Sequence, residues 1–369
     1  MLRVDADEAE RNSRLTGTTA KALRDAGLFR LGVPKSHGGY EAAPLTFLDV
    51  SAEVAQACPS SAWVLMVSYV AQQMAASFGD QAREELWGDG PDTPMCGVFA
   101  RVGVEATPAD DGLTVSGRWA WASGCHHADW AIIGVPSVDG ATPEPAVALV
   151  PVSDLSIVET WDMTGLRGTG SHTLVADRLF VPRHRIRTFA KLVDGNADAT
   201  SPLYRIPPGS MTVTSAGPML GATRAIFRQV LELIESGKPL AMSVYRRAGD
   251  SPSIQAALAD AATLIDTADL HLSRSASWLM SAAAGEGLGL PERARLRMDT
   301  GYAVSKLRES AQLLFTVAGA GSLGRASVIA RNWRDLETGA RHPTLAPGLA
   351  REMYGRVLAG DRQPVSAML

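Results

Sequence analysis

Cysteine is scarce in this 369-residue chain: only Cys58, Cys96 and Cys125 occur. They lie too far apart for a CxxC or Cys/His metal spacing, and the odd number argues against a disulfide framework. An excess of one charge is also missing. Lys plus Arg number 35, Asp plus Glu 39, and the net charge is −4 with no basic block. Neither nucleic acid nor an anionic membrane is therefore indicated as a partner. No run of 18 apolar residues occurs, so no membrane span is expected. The acidic Met1–Glu8 stretch lacks the apolar centre of a signal peptide, and a cytoplasmic protein is expected. No glycine signature of a dinucleotide-binding strand–turn–helix is present.

The composition, 46% hydrophobic and 20% charged, is that of an ordinary globular protein large enough for two or three domains. Three textures follow one another. Residues 1–93 read as helices: an apolar face at Ala20, Leu23, Ala26 and Leu28 stops at Pro34, and helical spacing resumes over Leu45–Cys58 and Ala62–Phe78, with Pro59-Ser60-Ser61 as a cap between them. Residues 94–187 read as a small antiparallel sheet or barrel. Its short β-rich runs are Val98–Ala100, Leu113–Val115, Trp130–Val135, Ala146–Val150 and Thr173–Phe180, and its turns include Asp110-Asp111-Gly112 and Val138-Asp139-Gly140. Residues 188–210 read as a linker or mobile loop. Residues 211–369 read as a four-helix bundle with helices at 215–236, 253–284, 291–318 and 343–359.

Several residues invite a chemical reading. Trp119 and Trp121 alternate along a strand and so share one face, either lining a site or filling the β-core. Ser123, just beyond, offers a hydroxyl without charge. Arg167-Gly168-Thr169-Gly170-Ser171 presents hydroxyls and amides suited to a planar ring or a phosphate, or else is a glycine-rich hairpin turn. His342 follows Arg334-Asp335 and precedes Pro343. An imidazole titrating near neutrality suits removal of a proton from a phenol or amine; the bland alternative is a histidine capping helix carbonyls. Trp63, Met66, Tyr69, Val70 and Gln73 recur at helical spacing, as a core stripe does. Arg246 and Arg247 can be a plain exposed pair. Cys125, His126 and His127 lack the spacing of a known metal site, and no metal is expected. Asp266, Asp269 and His271 read as an interhelical polar cluster.

The order of helices, small β-domain and four-helix bundle resembles the acyl-CoA dehydrogenase superfamily over nearly the whole chain. The resemblance is carried by Leu23–Pro34 with His37-Gly38-Gly39-Tyr40, by Ser116–Gly124, by Gly165–His172 with Phe180-Val181-Pro182, and by Ser253–Ala261. It implies a mainly α fold with a small β-domain, and a flavin beside Trp121, Ser123, Arg167, Thr169, Gly170 and Ser171. It further implies that Arg246 meets the flavin phosphate, and that Gly319, Ala320 and Gly321 meet the flavin of a neighbouring subunit in a homotetramer. Trp63, Met66, Tyr69 and Trp119 would border the substrate. In dehydrogenases of this superfamily a catalytic Glu stands where His342 stands here, a change of base that suggests oxygenation. The Trp-x-Trp-x-Ser-Gly, Arg-Gly-Thr-Gly-Ser-His and Arg-Asp…Ala-Arg-His spellings resemble the two-component monooxygenases. Such an enzyme would receive FMNH2 or FADH2 from a separate NAD(P)H:flavin reductase. With O2 it would form a C4a-hydroperoxyflavin, Ser123 hydrogen-bonding the flavin N5/O4 region or the peroxide, and hydroxylate a phenolic or polyketide-like aromatic that His342 deprotonates. Open alternatives are oxygenation at the nitrogen of an amine or amino sugar, or at sulfur. An FAD-dependent acyl-CoA dehydrogenase with Glu337 as base, and a flavin-binding relative without chemistry, also remain open.

Overall fold

In a computed structural model of the chain, residues 1–137, 144–193, 199, 201–285, 287–361, 363 and 365 are described. The turn expected at Val138-Asp139-Gly140 and residues 194–198 and 200 of the expected linker lie outside the described residues. The N-terminal part consists of α1 (Leu2–Asn12), α2 (Gly17–Asp25), α3 (Pro44–Ala57), α4 (Pro59–Ala75) and α5 (Asp80–Trp87). Thr16 caps α2 by accepting the Thr19 N–H, while Pro44 and Pro59 open α3 and α4 where no N–H partner is needed. Pro59-Ser60-Ser61 thus begins α4 instead of capping it; Cys58 holds the N-cap position without a side-chain bond. Nearly every residue of α4 is buried, which explains why its stripe is apolar almost all round.

The middle of the chain forms β1 (Met95–Val98), β2 (Glu105–Ala109), β3 (Gly112–Ala122), β4 (Trp130–Ser137), β5 (Glu144–Pro151), β6 (Ser156–Val158), β7 (His172–Pro182) and β8 (Ile186–Thr188). They make two four-stranded sheets, ordered β1-β4-β5-β8 and β2-β3-β7-β6. All pairs are antiparallel except β1 with β4, where Met95 faces Trp130 in parallel. The expectation of a wholly antiparallel sheet fails there for a topological reason. The chain leaves β1, builds β2 and β3 in the other sheet, and returns beside β1, a crossover that delivers a parallel neighbour. β4 reads as an unbroken apolar run because both its faces are dry. Ile132 packs with Val147 and Leu149 against the helices, while Ala131, Ile133 and Val135 face the second sheet.

The start of the expected linker is helical, as α6 (Phe189–Val193). The bundle helices are α7 (Gly217–Glu235), α8 (Pro252–Ala284), α9 (Leu290–Ala318) and, after the shorter α10 (Val328–Gly339), α11 (Pro347–Leu358). α10 carries the Arg334-Asp335 pair and is a helix of its own, capped by the Ser327 hydroxyl, which accepts the Ala330 N–H. Sequence periodicity missed it because it is short and half polar. Among the described residues, no helix is long and apolar enough to cross a membrane.

α7 lies tightly on α3. A Cβ on Gly221 would stand 2.0 Å from the Ala52 carbonyl oxygen, a backbone atom that cannot rotate away. Gly221→Ala is expected to destabilise the fold by about 1–3 kcal/mol, the usual range for overpacking. A thermal melt checks this, and an unchanged midpoint would show that the two helices slide apart freely.

Candidate functional site

The strand β3 does not present its two tryptophans together. Its register with β7 slips between Trp119 and Ala122, and Trp121 takes a left-handed φ of +73°. The bulge turns Trp121 outward, 62% exposed, while Trp119 stays 1% exposed in the β-core with its indole N–H donating to the Gly134 carbonyl at 2.8 Å. The shared face expected from alternation is therefore wrong, and Trp119 is packed in the β-core. Trp121 stands edge-on to Trp161, with ring centroids 6.2 Å apart. A non-glycine residue at such a φ costs about 1–3 kcal/mol and persists where the surrounding structure determines it. The same bulge delivers Ser123 to the end of the strand, its N–H donating to the Trp121 carbonyl.

Beside it runs the segment 165–171, pressed onto α10. A Cβ on Gly165 would lie 2.1 Å from the Arg334 carbonyl oxygen, so only glycine permits this approach. Leu166 sits at φ +52°, and its N–H donates at 2.5 Å to Oδ1 of the buried Asp335. Burial pushes the Asp335 carboxyl up to about 7, against the opposing pull of the Leu166 N–H and of Arg331. Arg334 ties the same helix to Glu10 of α1 at 2.5 Å and to the Thr164 carbonyl. Arg167 acts as a clamp within the chain. Its guanidinium donates to the Glu10 carbonyl, Ser13 Oγ, Asp162 Oδ1 and the Met163 carbonyl, which uses most of its N–H groups. Gly170, at φ +54°, closes the turn with its backbone against Ser13 and Arg14.

These two segments and α4 bring one polar cluster together. Trp63 Nε1 lies 3.2 Å from Ser123 Oγ, Ser123 Oγ 2.6 Å from Ser171 Oγ, and Ser171 Oγ 2.7 Å from Thr169 Oγ1. All four side chains are buried. The Trp63 ring in turn meets His342 edge-on, at 5.4 Å between centroids. Trp63, Ser123, Thr169, Ser171 and His342 are thus gathered from four places in the sequence.

His342 follows the end of α10. Its Nδ1 lies 2.6 Å from Thr344 Oγ1 and accepts the Thr344 backbone N–H at 3.3 Å. Burial, aided by the nearby Arg297 charge, pushes its pKa down to about 4. A titration near neutrality is accordingly not what this environment provides: the ring is neutral throughout the physiological range. Thr344, which the sequence reading passed over, is its partner.

Other expected residues lie apart. Tyr69 stacks on Phe47 at 3.9 Å and donates its hydroxyl to the Ala42 carbonyl, as a core residue does. Met66 is nearer the cluster along α4, its sulfur accepting the Ser215 hydroxyl at 3.4 Å. Ser210 and Thr212, close by in the turn before α7, hold buried hydroxyls without a partner. Arg246, Gly319 and Gly321 do not join the cluster within one chain. The exposed 237–247 loop meets the end of α9 where Lys238 donates to the Ala318 carbonyl. Arg297, near the start of α9, donates to the Pro343 carbonyl beside His342, and the helix rises about 30 Å between these ends. Glu337 is held by Arg308 at 2.8 Å and by Arg341, and both lower its pKa. It is therefore unsuited to act as a base. Of two surface clefts, about 470 Å³ at Arg14, His126 and His127 and about 220 Å³ at Arg183 and Arg187, neither includes Ser123 or His342. The side-chain chemistry marks the site, not the size of a hollow.

The chain matches the acyl-CoA dehydrogenase N-terminal domain family over residues 2–88 and the acyl-CoA dehydrogenase C-terminal domain family over residues 213–347. The chain belongs to the acyl-CoA dehydrogenase superfamily, in its flavin-dependent monooxygenase branch. It is 34% identical to the flavin-dependent monooxygenase oxygenase subunit HsaA of Rhodococcus jostii, over 96% of this chain and 94% of that one. It is 30% identical to the FADH2-dependent resorcinol hydroxylase oxygenase component of a Rhizobium, over 98% and 91%. Among solved structures, XiaF from Streptomyces, in complex with FADH2 and glycerol, superposes with a TM-score of 0.95 at 32% identity, over 99% of this chain and 93% of that one. The chain is an oxidoreductase that works with reduced flavin.

The depressed His342 pKa has a consequence for stability. Between about 4 and 6.5 the unfolded chain binds a proton at His342 that the folded chain refuses, so this residue's contribution to stability falls as pH falls through that window. In His342→Gln the contribution is absent. The difference in melting temperature between wild type and variant is expected to drift in favour of the variant from pH 6.5 down to pH 4, and to stay flat above about pH 7. A parallel pair of pH-melting curves would refute the buried neutral ring.

Proposed function

We propose that this chain is the oxygenase component of a two-component system that hydroxylates a phenolic or related aromatic compound in the cytoplasm, fed with reduced flavin by a separate NAD(P)H:flavin reductase. The observation that carries the reading is the pairing of His342 with Trp63 and the Ser123 cluster, while Glu337, the carboxylate closest to His342 in the sequence, is neutralised by two arginines.

The residues fit a flavin ring edge. Trp121 offers an exposed aromatic surface, and Ser123, Thr169 and Ser171 offer uncharged polar groups beside it. Reduced flavin, when bound, supplies the activation of O2. The protein supplies the rest. Trp63 walls the space between Ser123 and His342 and helps to exclude water. Met66 and the unpartnered hydroxyls of Ser210 and Thr212 border the substrate side. His342 takes up the substrate hydroxyl. With its proton on Nε2 and Nδ1 held by Thr344, the ring donates to a phenolate oxygen. With the proton moved to Nδ1, which Thr344 Oγ1 then accepts at 2.6 Å, Nε2 is free to receive the phenol proton. A phenolate ring carbon is more electron-rich than that of a phenol, so either exchange favours oxygen transfer.

The test is a turnover assay with reduced FMN or FAD, isotopically labelled O2 and a panel of phenols and amines, read by mass spectrometry. Label is expected in the phenols. His342→Ala is expected to lower labelling by roughly 10²–10⁴-fold, the range typical of a lost proton-transfer group, with flavin affinity unchanged. Label appearing in amines alone would replace the reading by N-oxygenation, and reduction of the flavin by acyl-CoA would replace it by dehydrogenation.

The distal position of Arg246, Gly319 and Gly321 is accounted for by a homotetramer in which they approach the flavin of a neighbouring subunit. Sedimentation velocity is expected to give a tetramer, and Arg246→Ala to weaken flavin binding without altering the His342 region. A monomer that binds flavin equally well with and without Arg246 would end that part of the proposal.

A further inference from the structure

The hydroxyl cluster beside Trp63 has only one consistent arrangement of its protons. A carbonyl oxygen can only accept, and Thr169 Oγ1 lies 2.7 Å from the Leu166 carbonyl, so the single Thr169 hydroxyl proton is donated there. Between Thr169 and Ser171 the donor is then Ser171, because Thr169 has no proton left. Between Ser171 and Ser123 the donor is Ser123, for the same reason. At the head of the chain the Trp63 indole N–H, which can only donate, gives to Ser123 Oγ. The order is fixed from end to end: Trp63, Ser123, Ser171, Thr169, Leu166. Its tail is itself pinned, because Leu166 is held by Asp335 through its N–H. Bonds in such a series polarise one another in the same direction.

A consequence follows for Ser123. Its proton points to Ser171, one lone pair takes the Trp63 N–H, and what remains is a second lone pair. Ser123 can offer a further partner an acceptor and nothing else.

We propose that Ser171 and Thr169 are positioning residues that hold the Ser123 hydroxyl as an acceptor toward the flavin and thereby make the site discriminate against the oxidised ring. The proposal rests on the reading above that Ser123 lies at the edge of the flavin ring, and takes that edge to be the one that carries N5. Reduced flavin carries a hydrogen on N5 and is a donor there. Oxidised flavin has only a lone pair at N5, and against the Ser123 lone pair it finds no bond. One mismatched hydrogen bond in a water-poor site corresponds to a difference in affinity of roughly ten-fold.

Removing Ser171 should release the constraint. In Ser171→Ala the Ser123 hydroxyl loses its acceptor, is free to turn, and can donate to the N5 lone pair. The experiment is anaerobic equilibrium titration of the full-length wild type and variants with oxidised and with reduced FMN and FAD, without substrate or turnover. Ser171→Ala is expected to bind oxidised flavin about ten-fold more tightly than wild type while its affinity for reduced flavin hardly changes. A merely structural role would weaken both. Ser171→Thr, which keeps the hydroxyl, is expected to restore the wild-type discrimination. Thr169→Val interrupts the same series one step further on and is expected to move the ratio in the same direction, so the test stands even where Ser171→Ala folds poorly. Ser123→Ala is expected to weaken reduced flavin selectively. If Ser123→Ala has that effect while Ser171→Ala and Thr169→Val leave the oxidised-to-reduced ratio unchanged, the positioning role is overturned and the contact of Ser123 with the flavin survives. If Ser123→Ala changes neither affinity, Ser123 does not meet N5, and this inference fails together with the reading beneath it.

Discussion

The buried bond from the Leu166 N–H to Asp335 governs the arrangement of everything around it. It crosses from a helix near the C-terminus to a segment of the β-domain, and it sets Leu166 in a left-handed conformation that no local preference would choose. Once Leu166 is set, its carbonyl is aimed at Thr169, and Thr169 and Ser171 turn toward Ser123. Close approach of the two backbones requires Gly165, and Arg331 and Arg334 on the same helix reach Asp7 and Glu10 on α1. One short helix therefore joins the N-terminal helices, the β-domain and the bundle at a single place. The energetic logic is that of a buried charge. Losing the Leu166 partner would leave Asp335 unsatisfied in a dry setting, at a cost of a few kcal/mol, so the contact holds the segment in register.

Burial shapes the chemistry as much as the geometry. Asp335 is raised and His342 is lowered by the same cause, exclusion of water from the charged form. Glu337, in the last turn of the same helix, escapes because Arg308 and Arg341 compensate it. A helix that could have carried a carboxylate base thus carries a compensated one, and a neutral imidazole, His342, follows beyond its last turn. That arrangement suits a substrate that brings its own acidic hydroxyl better than one whose proton sits on carbon, where a stronger base is required.

Most of the architecture was legible in the sequence. The three textures, the long bundle helices and the strands of two-faced burial announced themselves by period, and the Trp-Ala-Ser-Gly, Arg-Gly-Thr-Gly-Ser and Arg-Asp…His motifs marked the segments that meet. What was not legible depends on contacts between segments. Alternation placed Trp119 and Trp121 on one face because a period of two assumes an unbroken strand; the bulge after Trp119 breaks it, and no local residue signals the slip. Arg167 read as a flavin ligand because its motif suits one, yet its guanidinium is drawn to α1, which lies more than 150 residues earlier. The low His342 pKa, the Thr344 partner and the unpartnered Ser210 and Thr212 hydroxyls arise from packing alone. α10 was overlooked because polar stitches to α1 and to the 165–171 segment hold it more than an apolar face does.

The strain at Trp121 and the clamp at Leu166 belong together. Both residues stand at positive φ, and both flank the buried hydroxyl series, Trp121 on β3 and Leu166 in the turn before β7. A bulge alone would allow Ser123 to rotate freely at the end of β3, and a clamp alone would fix Thr169 and Ser171 with nothing to receive. Only when the bulge turns Trp121 outward does Ser123 fall within 2.6 Å of Ser171, and only then does the exposed indole stand beside the polar row. The cost of two strained backbones is thereby tied to one result, an aromatic surface next to a hydroxyl whose proton has a fixed direction.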